Sequence, residues 1–536
     1  MGSGKDKQAG LLIFLLGLSL YVNCQPAANH RFHFEGNQAV NQIRPSINSI
    51  KVNYSISDLD MEVLSNERGK YFRISIPGHV PTTAIGKPEL PVFSRLITIP
   101  DNFSFKINIT EIRSKTIVPR KSNIEGILYP AQEGDTKTLR DKKPFIIDET
   151  TYTTPGLLNQ DTVRIEPAGR VRGKNLANLM VFPIRYDPRK NLLEVITSME
   201  IEIIFTGPEQ YLPETIAFSG ILSKGLSNYY QSDFITGYSD QPVRMIILTD
   251  TSFSQSLDPL IRWKRQKGFD LEIIYRGSEY AGVSFSEIKT TISDIYNSSG
   301  ENPPPDYLLI IGDVSVIPLS DGTTNITDLY YAEFDGNGDY IPEMFVGRLP
   351  VKDTSELRSV VKKIIQYEKF EFADTNNFYS NSLATTGYDA SYATFMNGQV
   401  RYAVTNYLTP ENNINEYHFY YPQNEQEHKD SVIKIINKGI SFMNYSGHGS
   451  PTGWLHIGID TSDVSKLTNN NMYPFVVSNS CFTSRYNMAS LGNRMVISND
   501  KGAIGFIGCS SDSYWFEDFY WSVGVGTPSE NPTYET

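Results

Sequence analysis

Three cysteines are spread over 536 residues, beside only four tryptophans and seven histidines. No two cysteines have metal-ligand spacing, which excludes zinc-finger and disulfide-scaffold readings. No block of basic residues occurs: Lys+Arg 48 against Asp+Glu 60 leaves a net charge of −12. An acidic chain without a basic patch is a poor partner for nucleic acid or an anionic membrane. Long apolar runs are also missing. The longest, Leu11–Leu20, falls short of the roughly 20 residues that span a bilayer, so no transmembrane segment is expected.

That short run has a different meaning at the start of the chain. Lys5 and Lys7 precede it, and Val22-Asn23-Cys24 follows, the layout of a secretory signal over residues 1–24. Cleavage after Cys24 leaves Gln25 first. The competing reading is a lipoprotein anchored on Cys24, which Tyr21 and Asn23 fit poorly. Once Cys24 is removed, only Cys481 and Cys509 remain, and one free catalytic thiol is an expected reason for such a pair.

The aromatic content is 12%, with 32 Tyr and 28 Phe. Residues 25–235 read as β-rich, with alternating runs such as Tyr71–Ile76, Phe103–Ile109 and Leu193–Phe205. Pro/Gly clusters near 76–80, 86–91 and 183–188 break them, the pattern of a sandwich or barrel. Gly207, Pro208, Gly220, Gly225 and Gly237 mark a linker, with Lys224 or Arg244 as candidate processing points. From about residue 236 the period changes. Val243–Leu248 is a continuous apolar strand of the kind a parallel sheet buries on both faces. Strands near 271–275, 307–311, 343–347, 382–385, 440–445, 475–478 and 503–508 alternate with helical patterns near 256–267, 285–297, 354–371, 391–407, 429–438 and 484–499. This alternation predicts an α/β doubly wound sheet with right-handed crossovers over 236–536.

Two of those strands stop at reactive side chains. Ile440–Tyr445 runs into Gly447-His448-Gly449, and Phe475–Ser478 runs into Cys481. Taken singly, the His is an ordinary loop residue and the Cys a small buried hydrophobe. Taken together, as parallel neighbours, both emerge on the carboxyl edge of one sheet, where open α/β folds bind ligands. A thiolate beside an imidazolium is a nucleophile with its own proton donor. The backbone N–H groups of Gly449 and Cys481 are the candidate oxyanion donors. Such chemistry needs no cofactor.

The words "GISFMNYSGHGS", "LTNNNMYPFVVSNSC" and "KGAIGFIGCSSDSYW", with 33 positions from His448 to Cys481, resemble the gingipain-type cysteine peptidases. This is a family of secreted bacterial caspase-like proteases. The caspase-specific cysteine signature is absent, which excludes caspases proper. The resemblance implies a caspase-like catalytic domain and a secreted or cell-surface endopeptidase made as a pro-enzyme. "GKPELPVFSRLITIP" at 86–100 resembles the pro-domain that covers the active site in that family, against a permanent β-module with no inhibitory role. Protein or peptide substrates and the chain's own pro-domain are the implied partners. Family members continue past the point matching Thr536, so the catalytic domain is expected to be incomplete at its C-terminus.

The resemblance also implies site roles. Asp389 matches the acid that orients the histidine, against a plain N-cap for the next helix. Glu343 is the rival carboxylate, read as structural, with Arg348 paired internally. Trp515 matches a position lining the primary specificity pocket, against ordinary core packing. His456 is a spare base. The segment 390–400, where basic-residue-cutting members carry an acid, has none, so an uncharged residue is expected before the cut. Two alternatives remain open. One is a sortase or transpeptidase of a bacterial type IX secretion system using the same pair. The other is a non-catalytic exported binding protein. Finally, Asp335, Asn337 and Asp339 place oxygens at alternate positions, as a structural calcium loop would, but no Glu follows at the twelfth position. A plain Gly/Asn turn is the competing reading.

Overall fold

The computed structural model describes residues 29–34, 42–46, 49–101, 104–138, 143–158, 161–206, 215–228, 241–298, 303–320, 326–336, 339–373, 378–423 and 428–533. The leader assigned to residues 1–24 and much of the linker lie outside the described residues.

Residues up to Thr206 build almost entirely antiparallel sheets. Ser49–Ser55, Gln42–Ser46, Ile184–Asp187 and the long Leu192–Thr206 share one sheet, with Ser104–Ile117 also paired to Leu192–Thr206. A second joins Val163–Val171, Lys174–Val181, Pro91–Ile99 and Val80–Pro81. A third joins Asn29–His33, Asp58–Asn66, Gly69–Ser75 and Ile127–Leu128. Alternation is the cause: in Ser49–Ser55 the buried positions are Ile50, Val52 and Tyr54, every second residue facing one core. This matches the β-rich reading.

Beyond residue 240 the chain is α/β, realised as two parallel sheets. The first carries β1 (Arg244–Asp250), β2 (Asp270–Arg276), β3 (Tyr307–Ile311) and β4 (Phe345–Leu349) in the order β2-β1-β3-β4. The second carries β5 (Asn381–Thr386), β6 (Asn415–Phe419), β7 (Phe442–Ser446), β8 (Phe475–Asn479) and β9 (Gly505–Gly508) in the order β6-β5-β7-β8-β9. Every pairing in both is parallel. The helices are α1 (Ser254–Gln266), α2 (Phe285–Asn297), α3 (Thr354–Glu368), α4 (Ala393–Asn406), α5 (Lys429–Lys438), α6 (Leu491–Ile497) and α7 (Trp515–Val523).

All six residues of β5 are buried, as a parallel strand covered on both faces requires. The pattern at 484–499 yields only the short α6, because the chain first turns through Ser484–Ser490. Elements that went unread in the sequence include β6, α7, the short strands Gly449–Ser450, Gly453–Trp454 and Ile459–Asp460, and the helix Ile216–Gly225, which falls where a linker was expected. Among the described residues no helix is long and apolar enough to cross a membrane.

The register of the second sheet sets the functional geometry. Thr386, Ser446 and Asn479 are aligned across β5, β7 and β8. Asp389 lies three residues past this line, and His448 and Cys481 lie two past it. The chain leaves β5 for β6 on one side and returns to β7 on the other, so these residues stand where the strand order reverses.

Candidate functional site

Beneath the site, Tyr445 at the end of β7 is fully buried and stacks on Trp454 with ring centroids 4.7 Å apart. Its hydroxyl donates to the carbonyl of His448 at 2.8 Å, fixing the histidine's backbone. The glycines act through close approach. A Cβ on Gly447 would stand 2.8 Å from Gly387, and one on Gly449 would stand 2.7 Å from the Cys481 carbonyl. Their absence of a side chain lets the ends of β5, β7 and β8 converge.

His448 is buried, and both ring nitrogens have partners. Nε2 faces Asp389 Oδ2 at 2.8 Å, and Nδ1 faces the carbonyl oxygen of Lys137. Both partners are acceptors, so only the doubly protonated ring satisfies them at once. The other oxygen of Asp389 accepts the Ser391 amide at 2.8 Å, so the competing N-cap role is also filled. Burial works against the charge on Asp389. Hydrogen bonds from His448 and the Ser391 amide, with the His448 charge and the Tyr392 amide, outweigh it and hold the carboxyl below its ordinary value. The spare base, His456, lies 5.5 Å ring to ring from His448, and burial together with the His448 charge lowers its imidazole.

Cys481 is fully buried. Its sulfur accepts the Ser513 amide at 3.2 Å and lies 3.3 Å from the Thr138 hydroxyl. Cys509 is also a free thiol, but burial and then Asp518 push it up to about 11. The Lys137–Thr138 unit therefore bridges the two side chains, its carbonyl on the imidazole and its hydroxyl on the sulfur.

Lys137 and Thr138 were not recognised in the sequence, and they define the site. Residues 135–138 lie antiparallel to 512–515. The Trp515 amide donates to the Asp135 carbonyl at 3.1 Å, Thr136 bridges Tyr514, and the Lys137 amide donates to the Ser513 carbonyl at 2.8 Å. The Lys137 side chain enters a closed pocket and is fully buried. Its ammonium lies 2.8 Å from Asp518 Oδ2, donates to the Asn479 carbonyl at 2.9 Å, and sits 4.9 Å from the centre of the Trp515 ring. A buried ammonium is tolerable only with such partners. Trp515 is fully buried, stacks on Tyr392 at 4.4 Å and presents its edge geometry to His448 at 5.3 Å.

Segment 390–400 indeed has no acid, but the counter-charge comes from Asp518 on α7. A signal was available: Trp515 and Asp518 are spaced i, i+3 and share a helix face. The amides of Gly449 and Cys481 show no hydrogen bond to the Lys137 carbonyl oxygen, which the imidazole holds instead.

The remaining candidates lie elsewhere. Arg348 forms a bidentate pair with Asp328 at 2.8 and 2.7 Å. Glu343 accepts from the Arg172 amide and from the Tyr296 hydroxyl at 3.1 Å. Asp339 accepts the Arg170 amide at 2.7 Å on one oxygen and the Ile341 amide at 2.9 Å on the other. Asp335 shares a hydrogen bond with Glu343, and Asn337 lies outside the described residues. N–H donors thus already occupy both oxygens of Asp339, which counts against it as a calcium ligand. No group of three His, Cys, Asp or Glu that could hold a metal occurs among the described residues.

An α/β unit with an acid, a histidine and a cysteine on one carboxyl edge, filled by a segment from its own β-rich N-terminal part, defines the class. The chain belongs to peptidase family C25, the gingipains: the family model matches residues 238–529, and the model of the C25 propeptide matches 33–245. It is 29% identical to Lys-gingipain HG66 of Porphyromonas gingivalis over 504 residues, which is 91% of this chain and 29% of the relative. It is 22% identical to gingipain R2 of the same organism over 453 residues, 80% of this chain and 58% of that one. A solved protease structure aligns with a TM-score of 0.51 at 31% identity, covering 55% of this chain and 66% of the other. The chain thus spans under a third of the Lys-gingipain it matches.

Proposed function

We propose that this chain is the latent form of an exported cysteine endopeptidase that cuts after lysine. The observation that carries this is the Lys137–Thr138 unit, whose ammonium meets Asp518 while its carbonyl and hydroxyl meet His448 and Cys481. In a substrate, the Cys481 thiolate attacks the carbonyl carbon of the lysine and the C–N bond breaks. The leaving amine takes a proton from the His448 imidazolium, which Asp389 orients. Water then adds to the thioester, giving its proton to the now neutral imidazole and releasing the acid and the thiolate. The chemistry requires no cofactor.

Lysine is favoured over arginine because one carboxylate and one carbonyl enclose a compact ammonium, whereas a guanidinium calls for a planar, two-pronged acceptor. The bound segment is not cut because its carbonyl oxygen lies on the imidazole instead of on backbone amides, where developing negative charge would be stabilised. The leader-like residues 1–24 support export. The test uses the full chain carrying Lys137→Ala, which empties the pocket, on peptides with lysine, arginine or alanine before the cut. Cleavage after lysine, abolished by Cys481→Ala, is expected. Cleavage without preference, or undiminished in Cys481→Ala, would overturn the reading.

A further inference from the structure

The pairing of residues 135–138 with 512–515 has a constant register. Asp135 opposes Trp515, Thr136 opposes Tyr514 and Lys137 opposes Ser513, which places Thr138 opposite Asp512. The side chains follow: Thr138 Oγ1 donates to Asp512 Oδ1. Asp512 is held in place from both sides. The Ser511 carbonyl accepts the Phe482 amide at 2.9 Å, and the Ser513 amide donates to the Cys481 sulfur at 3.2 Å. A carboxylate is thereby fixed beside the nucleophile, on the side from which the amine leaves.

We propose that Asp512 is a specificity-determining residue for the position just after the cut, selecting serine or threonine there. This deepens the proposed lysine specificity and rests on it. A substrate bound as a strand in the same register must set its first leaving-side residue against Asp512, whatever its sequence. An ionised carboxylate only accepts, and a hydroxyl has one proton to give. Valine has the shape of threonine without that proton, so it loses a charge-assisted hydrogen bond. The same contact helps hold the segment over Cys481, because the Thr138 oxygen that serves Asp512 also covers the sulfur at 3.3 Å.

The experiment has two arms. In the first, the full chain carrying Lys137→Ala and Thr138→Ala is assayed on peptides with lysine before the cut and Thr, Ser, Val or Ala after it. Lys–Thr and Lys–Ser are expected to exceed Lys–Val about tenfold in kcat/KM, the size of one hydrogen bond to a charged group. Asp512→Leu is expected to erase that ratio while leaving the preference for lysine over alanine before the cut. Equal Thr and Val rates, or a ratio that survives Asp512→Leu, would overturn the inference. Loss of the lysine preference alone would instead defeat the proposed function. The second arm needs no turnover: labelling of Cys481 by a thiol probe in the otherwise unaltered full chain. Thr138→Val and Asp512→Leu should each speed labelling several-fold, with the double variant no faster than either. No acceleration, or additive effects, would count against Asp512 as the partner of Thr138.

Discussion

A single carboxylate, Asp389, reaches His448 Nε2 at 2.8 Å with one oxygen and holds the Ser391 amide at 2.8 Å with the other. Orientation of the imidazole and closure of the turn before α4 are therefore coupled. Asp389→Ala is expected to lower kcat/KM by about 10²- to 10⁴-fold, the range for disabling a proton-transfer group. The accompanying loss of stability combines a lost cap, about 1 kcal/mol, with the lost hydrogen bond to the buried His448, about 1.5–3 kcal/mol. The sign with pH follows from the lowered carboxyl. Its stabilising effect is complete above about pH 4, the unfolded value, and fades as pH falls through the folded one. Acid unfolding curves of Asp389→Asn and the parent should converge below that point.

Lys137 and Asp518 form the second relationship open to test. Lys137→Met keeps the bulk but removes the counter-charge from Asp518, which is only partly exposed, a change costing up to about 3–5 kcal/mol, the range for removing one partner of a buried pair. The full chain with Lys137→Met is expected to melt lower and to expose Cys481 to a thiol probe at least tenfold faster. Cys509 should stay unlabelled near neutral pH, since its thiol lies at about 11.

Glu343 makes stability fall with rising pH. Burial first, and Asp335 next, push it up to about 8, from about 4.3 in an unfolded chain. Across that window the folded chain binds the extra proton, so stability declines as pH climbs from about 4 toward 8. Glu343→Gln retains an acceptor for Tyr296 and the Arg172 amide and cannot ionise. Its melting temperature should change less between pH 5 and 8 and exceed the parent's at pH 8.

For the loop around Asp335 and Asp339, a chelator is expected to leave the melting temperature unchanged, because both oxygens of Asp339 accept backbone amides. A drop of several degrees that calcium reverses would show that the loop holds a cation.

Much of the architecture could be read from periodicity. Alternation at Ile50, Val52 and Tyr54 and the continuous run Met245–Leu248 mark antiparallel and parallel strands because the two sheet types bury one face and two faces. The short α6 was overread, since an apolar pattern does not show where a loop consumes residues. Strand β6 escaped notice because its side chains are only partly buried and the pattern is weak.

His448 and Cys481 were visible because each ends an apolar strand, and parallel pairing makes strand ends meet. That is local information, written in order along the chain. What fills the space between them was not. Lys137 lies 311 residues from His448, and Asp518 lies 381 residues beyond Lys137, in stretches where a lysine or an aspartate looks like solvated surface. Only folding, by taking that ammonium and carboxylate out of water together, turned two unremarkable charges into a pocket. A buried charge acquires meaning from its partner, and the partner is fixed in space and not in sequence.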